Sequence, residues 1–136
     1  MASEPKTRPT DVPPADFIAA VAHAGRRADA QVLLGMLAEA SGEPAVMWGP
    51  SIVGYGSYRG PTGDWPVIGF SPRKAETVVY LMSEFDGKDA LLARLGPHRP
   101  GVSCLYIKRL ADVDMDVLRE LCAGSVQAVR AASPRC

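Results

Sequence analysis

The chain has no charge of prevailing sign. Fifteen basic and fifteen acidic side chains cancel to a formal charge of zero and are interspersed along the sequence. This argues against the basic domain or stripe on which general nucleic-acid binding depends. Long apolar runs are missing too: none reaches the roughly 18 residues of a membrane-spanning helix. The opening residues, MASEPKTRPTD, hold no apolar signal-peptide core. The expectation is a cytoplasmic protein with no nucleic-acid or membrane partner. Histidine is scarce, at His23 and His98 alone, and no two of Cys104, Cys122 and Cys136 stand at metal-knuckle or redox spacing. The cysteines read as free thiols of a reducing compartment. Gly54, Gly56 and Gly60 match neither the dinucleotide fingerprint nor the P-loop, because the spacing is wrong and no helix follows them.

What is present is the composition of one globular core. With 136 residues, 47% of them apolar and 22% charged, the chain can fold as a single domain. Residues 1–13, with Pro5, Pro9 and Pro13 among charges, read as a tail. The segment PADFIAAVAHAG (14–25) has Phe17, Val21 and Ala24 at helical spacing with Gly25 as its stop, which leaves His23 near a helix C-terminus. A second helix over 26–42 carries the stripe Ala28, Val32, Met36 and Ala40 and ends at Gly42. After Glu43-Pro44 the pattern becomes β-rich: AVMWG, IVGYGSY, PVIGF and TVVYLM read as a four-strand meander. A short helix, KDALLARLG, a fifth strand, SCLYIK, and a closing helix capped by Asp114 complete the order. The reading is α+β: a two-layer sandwich of about five mainly antiparallel strands with helices on one face, over 14–131, and a short tail at 132–136.

Strand alternation selects the candidate site. In SCLYIK, Leu105 and Ile107 point to the core, while Cys104, Tyr106 and Lys108 point the other way. Val46 and Trp48 share one face, Val53, Tyr55 and Ser57 another set, so that Trp48 and a tyrosine are candidates to flank one groove. Packing at the core edge is the competing reading for these rings. Basic pairs gather at strand ends, Arg73-Lys74, Lys108-Arg109 and His98-Arg99; two of them brought together would form an anion site, and a solvated rim is the alternative. Ser71 and Lys74 match an S-x-x-K spacing, but Ser71 closes a strand instead of opening a helix. Asp112, Asp114 and Asp116 lack the glycine and glutamate of a calcium loop and suit a helix cap. Cys104 would be reactive only beside a cation. The ligand-binding set is therefore Trp48, Tyr55, Arg73, Lys74, Tyr106 and Lys108, with no catalytic and no metal residue assigned.

Three blocks, MWGPSIVGYGSY, GDWPVIGFSPRKAETVVYLM and SCLYIKRLADVD, in this order after a two-helix start, resemble the bacterial YdhG-like family of domains of unknown function, over roughly residues 6–125. The resemblance implies a compact frataxin-like α+β fold and, from a few members, an intracellular iron chaperone. Iron carries over poorly to this chain. Hard iron ions favour clustered carboxylates, whereas the first helix offers Asp16 and segment 1–44 holds six acids against four bases. What matches the family is an aromatic and basic set: Trp48, Tyr55, Phe70, Arg73, Lys74, Tyr80, Tyr106 and Lys108. The resulting expectation is a non-enzymatic module for a small anionic molecule or a protein partner, without a cofactor; the alternative is a frataxin-type iron-binding chaperone.

Overall fold

The computed structural model describes residues 10–60, 63–101 and 103–132. Most of the expected N-terminal tail, Pro61 of the turn between Gly60 and Gly63, and residues 133–136 with Cys136 lie outside the described residues.

Pro14 at the first helical position, where a missing N–H costs nothing, opens the short helix α1 (Pro14–Ala19). It stops well before Gly25. His23 is extended and caps the next helix, α2 (Ala24–Ser41), by accepting the Arg26 N–H on its Nδ1 at 3.1 Å. His23 thus starts a helix, and Gly25 lies inside it. Gly42, at φ 70°, ends α2 in the left-handed region. The buried stripe of α2 is also not the expected one. Arg26, Ala30, Leu33, Leu37 and Ser41 face inward, with Met36 beside them, whereas Ala28 is exposed and Val32 keeps 49% of its surface. Both stripes have helical spacing; the one with two leucines buries more apolar area.

The main sheet has the order β1 (Ala45–Trp48), β2 (Ile52–Tyr55), β5 (Ile68–Pro72), β6 (Thr77–Leu81), β8 (Cys104–Ile107) and β7 (Arg99–Pro100), every pairing antiparallel. Five full strands thus carry a two-residue sixth on one edge. The expected strand IVGYGSY is broken at Gly56, whose φ of 64° turns the chain out of the sheet. Its end becomes β3 (Tyr58–Gly60), which pairs with β4 (Gly63–Trp65) as a separate hairpin.

Register fixes the two faces. Val53, Phe70, Val79 and Leu105 lie side by side across the strands, as do Tyr55, Ile68 and Leu81. This is the core face, on which α2 and the closing helix α4 (Met115–Ala132) pack. Leu33, Leu37, Leu118, Leu121 and Cys122 complete a fully buried core. Asp114 caps α4 as expected, its Oδ1 accepting from the Asp116 and Val117 amides. Helix α3 (Lys88–Leu95) lies on α4 and ends at Gly96, φ 113°. No helix among the described residues is long and apolar enough to cross a membrane.

The opposite face carries Trp48, Ile52, Gly54, Gly69, Ser71, Val78, Tyr80, Cys104, Tyr106 and Arg99. No helix is needed to cover its β1 end. A Cβ on Gly54 would stand 2.4 Å from Trp48 Cδ1 and 2.8 Å from Pro66 Cβ, so the indole and the proline ring lie directly over that glycine.

Candidate ligand site

Trp48 and Tyr55 fall on opposite faces. Trp48 pairs with Ile52, and Tyr55 is three residues further along the same strand, an odd step that reverses the side chain. Tyr55 is fully buried and donates its hydroxyl to the Leu34 carbonyl at 2.8 Å. Burial raises its pKa well above the ordinary tyrosine value, with a smaller push from Cys122. A side chain in that position is a core member and has no access to a ligand, which corrects its place in the expected site.

A tyrosine does border a hollow with Trp48, but it is Tyr58. The pair lines a concavity of about 460 Å³ with Val46, Val67 and Val129, and the ion pair Glu43–Arg130 (3.3 Å) stands at its wall. Arg130 also donates to the Ser41 carbonyl at 2.6 Å, tying the end of α4 to the end of α2. Its charge is already satisfied. Trp48, 2% exposed, is mainly packing.

Tyr106 and Lys108 stand at the far side of the sheet. β2, β5 and β6 separate their strand from β1, four steps of about 4.8 Å. They share a face with Trp48 and no groove. Around Tyr106, however, the structure does bring two of the basic strand ends together. His98-Arg99 and Lys108 line one concavity of about 430 Å³ with Glu76, Pro97 and Asp112. The Arg99 guanidinium lies 3.9 Å from the centroid of the Tyr106 ring and is ion-paired with Glu76. Asp112 is held by Arg109 at 3.0 and 3.1 Å. Lys108 has no hydrogen bond or ion pair among the described residues and is exposed. Once these pairs are set aside, the ammonium of Lys108 is the uncompensated charge. The phenol of Tyr106 titrates above the ordinary tyrosine value, first through the neighbouring Cys104 side chain, as a hydrogen-bonding group and then as a charge, with Arg99 pulling the other way.

Arg73 and Lys74 part company at the β5–β6 turn. Arg73 reaches over the open face, donating to Ser71 Oγ (3.1 Å) and the Tyr80 hydroxyl (2.8 Å). Ser71, fully buried, donates to the Ser51 carbonyl at 2.6 Å, so its S-x-x-K spacing is a coincidence of packing. Lys74 belongs to the other side of the turn, where it lines a third hollow against α1 and α2.

Arg99, Glu76 and His98 are site residues that no motif signalled; Arg99 and His98 were visible only as a basic pair, and their meeting with Tyr106 depends on the two-residue β7. No group of three or more His, Cys, Asp or Glu among the described residues stands close enough together to hold a metal ion. Compared with known proteins, the chain matches no family model, no curated protein and no solved structure.

Proposed function

We propose that the protein is a non-enzymatic binding module that holds a small anionic molecule with a flat body in the Tyr106 concavity. The observation that carries this reading is the Arg99–Tyr106 stack beside the unpaired ammonium of Lys108. The stack offers a rigid planar surface, Glu76 keeps Arg99 in place on it, and Lys108 supplies the counter-charge. The resemblance to YdhG-like domains is part of the same proposal. Its iron-chaperone side gains no donor set from the described residues.

A thermal-shift screen over metals, nucleotides and acidic metabolites tests the reading, because a ligand of the folded state raises apparent stability by mass action. Lys108→Ala is expected to weaken binding of an anionic hit about tenfold or more while leaving the melting temperature of the free protein within a degree or two, since an exposed ammonium contributes little to folding. Trp48→Ala, four strands away, is expected to lower stability and leave affinity unchanged. An anionic ligand whose affinity survives Lys108→Ala, or a saturable ferrous site found by anaerobic calorimetry, would overturn the proposal.

A further inference from the structure

Arg26 is a buried cation with no carboxylate partner among the described residues. It keeps 7% of its surface, and its guanidinium donates only to main-chain carbonyls, Lys74 O at 2.8 Å and Ala75 O at 3.2 Å. Its Nε–H is buried and has no acceptor. Removing a full positive charge from water without an anion is costly, and neutral carbonyl dipoles offset only part of that cost.

Arg26 lines a concavity of about 330 Å³ between the α1–α2 connection and the β5–β6 turn. Lys74, whose ammonium has no partner among the described residues, lines it too, as does His23. The tautomer of His23 follows from its cap: Nδ1 accepts the Arg26 amide, so the proton sits on Nε2, which is left as a donor. The first turn of the 18-residue α2 contains no acidic residue, and the amides of Ala24 and Gly25 have no acceptor within the helix. Among the described residues no carboxylate lines the hollow; Phe17, Val21 and Pro72 form its apolar walls. Arg73 adds positive potential at the rim while its guanidinium is held on the other face.

We propose that this concavity is a phosphate site, separate from the Tyr106 concavity, that takes the phosphate group of a small phosphomonoester. Arg26 and Lys74 supply charge, His23 Nε2–H supplies a donor, the N-terminus of α2 beside the hollow adds its positive dipole end, and the phosphate provides the counter-ion that Arg26 lacks. The apolar walls receive the organic part, so a phosphomonoester with an apolar body binds more tightly than inorganic phosphate.

The test uses the intact protein at low ionic strength, with inorganic phosphate, phenyl phosphate and benzoate as probes and chloride at matched ionic strength as the reference. Melting temperature and amide chemical shifts are read in parallel. The expected result is a rise in melting temperature with both phosphates, larger for phenyl phosphate, with shifts at Ala24, Gly25 and Lys74. Lys74→Ala should weaken phenyl phosphate about tenfold, and so should His23→Asn, which keeps a helix-capping side chain and removes the Nε2 donor. Lys108→Ala, whatever it does to binding at Tyr106, should leave the shifts at Ala24, Gly25 and Lys74 and the affinity read from them as they are, which separates the two sites. Shifts at Ala24, Gly25 and Lys74 no larger than with chloride, equal shifts there with benzoate and phenyl phosphate, undiminished affinity at those amides in Lys74→Ala, or shifts confined to Tyr106 and its neighbours would each refute the proposal.

Discussion

Gly54→Ala places a single methyl group where the structure leaves no room. The added Cβ would meet Trp48 Cδ1 at 2.4 Å, Trp48 Nε1 at 2.7 Å and Pro66 Cβ at 2.8 Å, against about 3.5–4.0 Å for a relaxed contact between carbons. The indole must therefore move outward by about 1 Å, and Trp48, only 2% exposed, has neighbours that resist it. Overpacking of this kind costs about 1–3 kcal/mol, a sizeable part of the roughly 5–15 kcal/mol that holds a domain folded. For a chain of this length the melting temperature should fall by about 3–10 °C. Urea denaturation followed by circular dichroism gives the free energy without relying on the fluorescence of a displaced tryptophan. The closest clash is with the indole ring, so Trp48→Ala, which removes the ring, should relieve that part of it: the double variant is expected to lose less than the sum of the two single losses. Additive losses, or a Gly54→Ala protein as stable as the parent, would mean that Trp48 does not lie across this strand.

Two further outcomes rest on different parts of the core. Gly35→Ala, in the exposed middle of α2 where a Cβ would meet nothing within 4 Å, should stabilise the protein by about 0.5–1 kcal/mol in the same denaturation assay. Burial pushes the Cys122 thiol up from its ordinary value of 9.0 to about 12. Above pH 9 the unfolded chain therefore releases this proton while the folded chain keeps it, and stability falls with rising pH between 9 and 12, by at most about 1.4 kcal/mol per unit. Below pH 9 the group contributes no slope. Cys122→Val should flatten the part of a stability profile just above pH 9, where tyrosine ionisation in the unfolded chain still adds a smaller slope than the thiol; an unchanged profile would contradict the burial.

The sequence carried the fold further than the site, and particular residues show where it stopped. Leu105 and Ile107 faced the core and Tyr106 the other way because a strand alternates whatever surrounds it. Asp114 and Gly96 punctuated helices through local backbone geometry that needs no partner. Alternation says nothing about lateral order, however. Trp48 and Tyr106 share a face with three strands between them, because the meander β1-β2-β5-β6 carries the chain across the sheet before β8 is added. Tyr55 was misplaced for a related reason: its parity relative to Trp48 depends on how many residues the β1–β2 turn contains. On α2, two stripes of helical spacing competed, and Arg26 lies on the one that was buried. A charge on a buried stripe is a visible signal only once that stripe is known.

The β5–β6 turn links the two proposed sites. Within four consecutive residues, the side chain of Arg73 reaches the open face, the carbonyls of Lys74 and Ala75 hold Arg26 on the helix face, and Glu76 holds Arg99 on Tyr106. The turn closes on itself through the Arg73 amide and the Glu76 carbonyl at 2.8 Å. A strand connection needs far less than this, since two residues suffice to reverse an antiparallel pair. Its extra length places main-chain acceptors on one side and a carboxylate on the other. Each of them fixes an arginine that would otherwise be a flexible surface cation, and side-chain ordering before a ligand arrives is a cost that binding then does not incur. The turn leaves one lysine unpaired in the helix-side hollow, Lys74, as Lys108 is left unpaired beside Tyr106. Fixed arginines with an ammonium left unpaired among the described residues are, on both faces, the arrangement on which the two proposed anion sites rest.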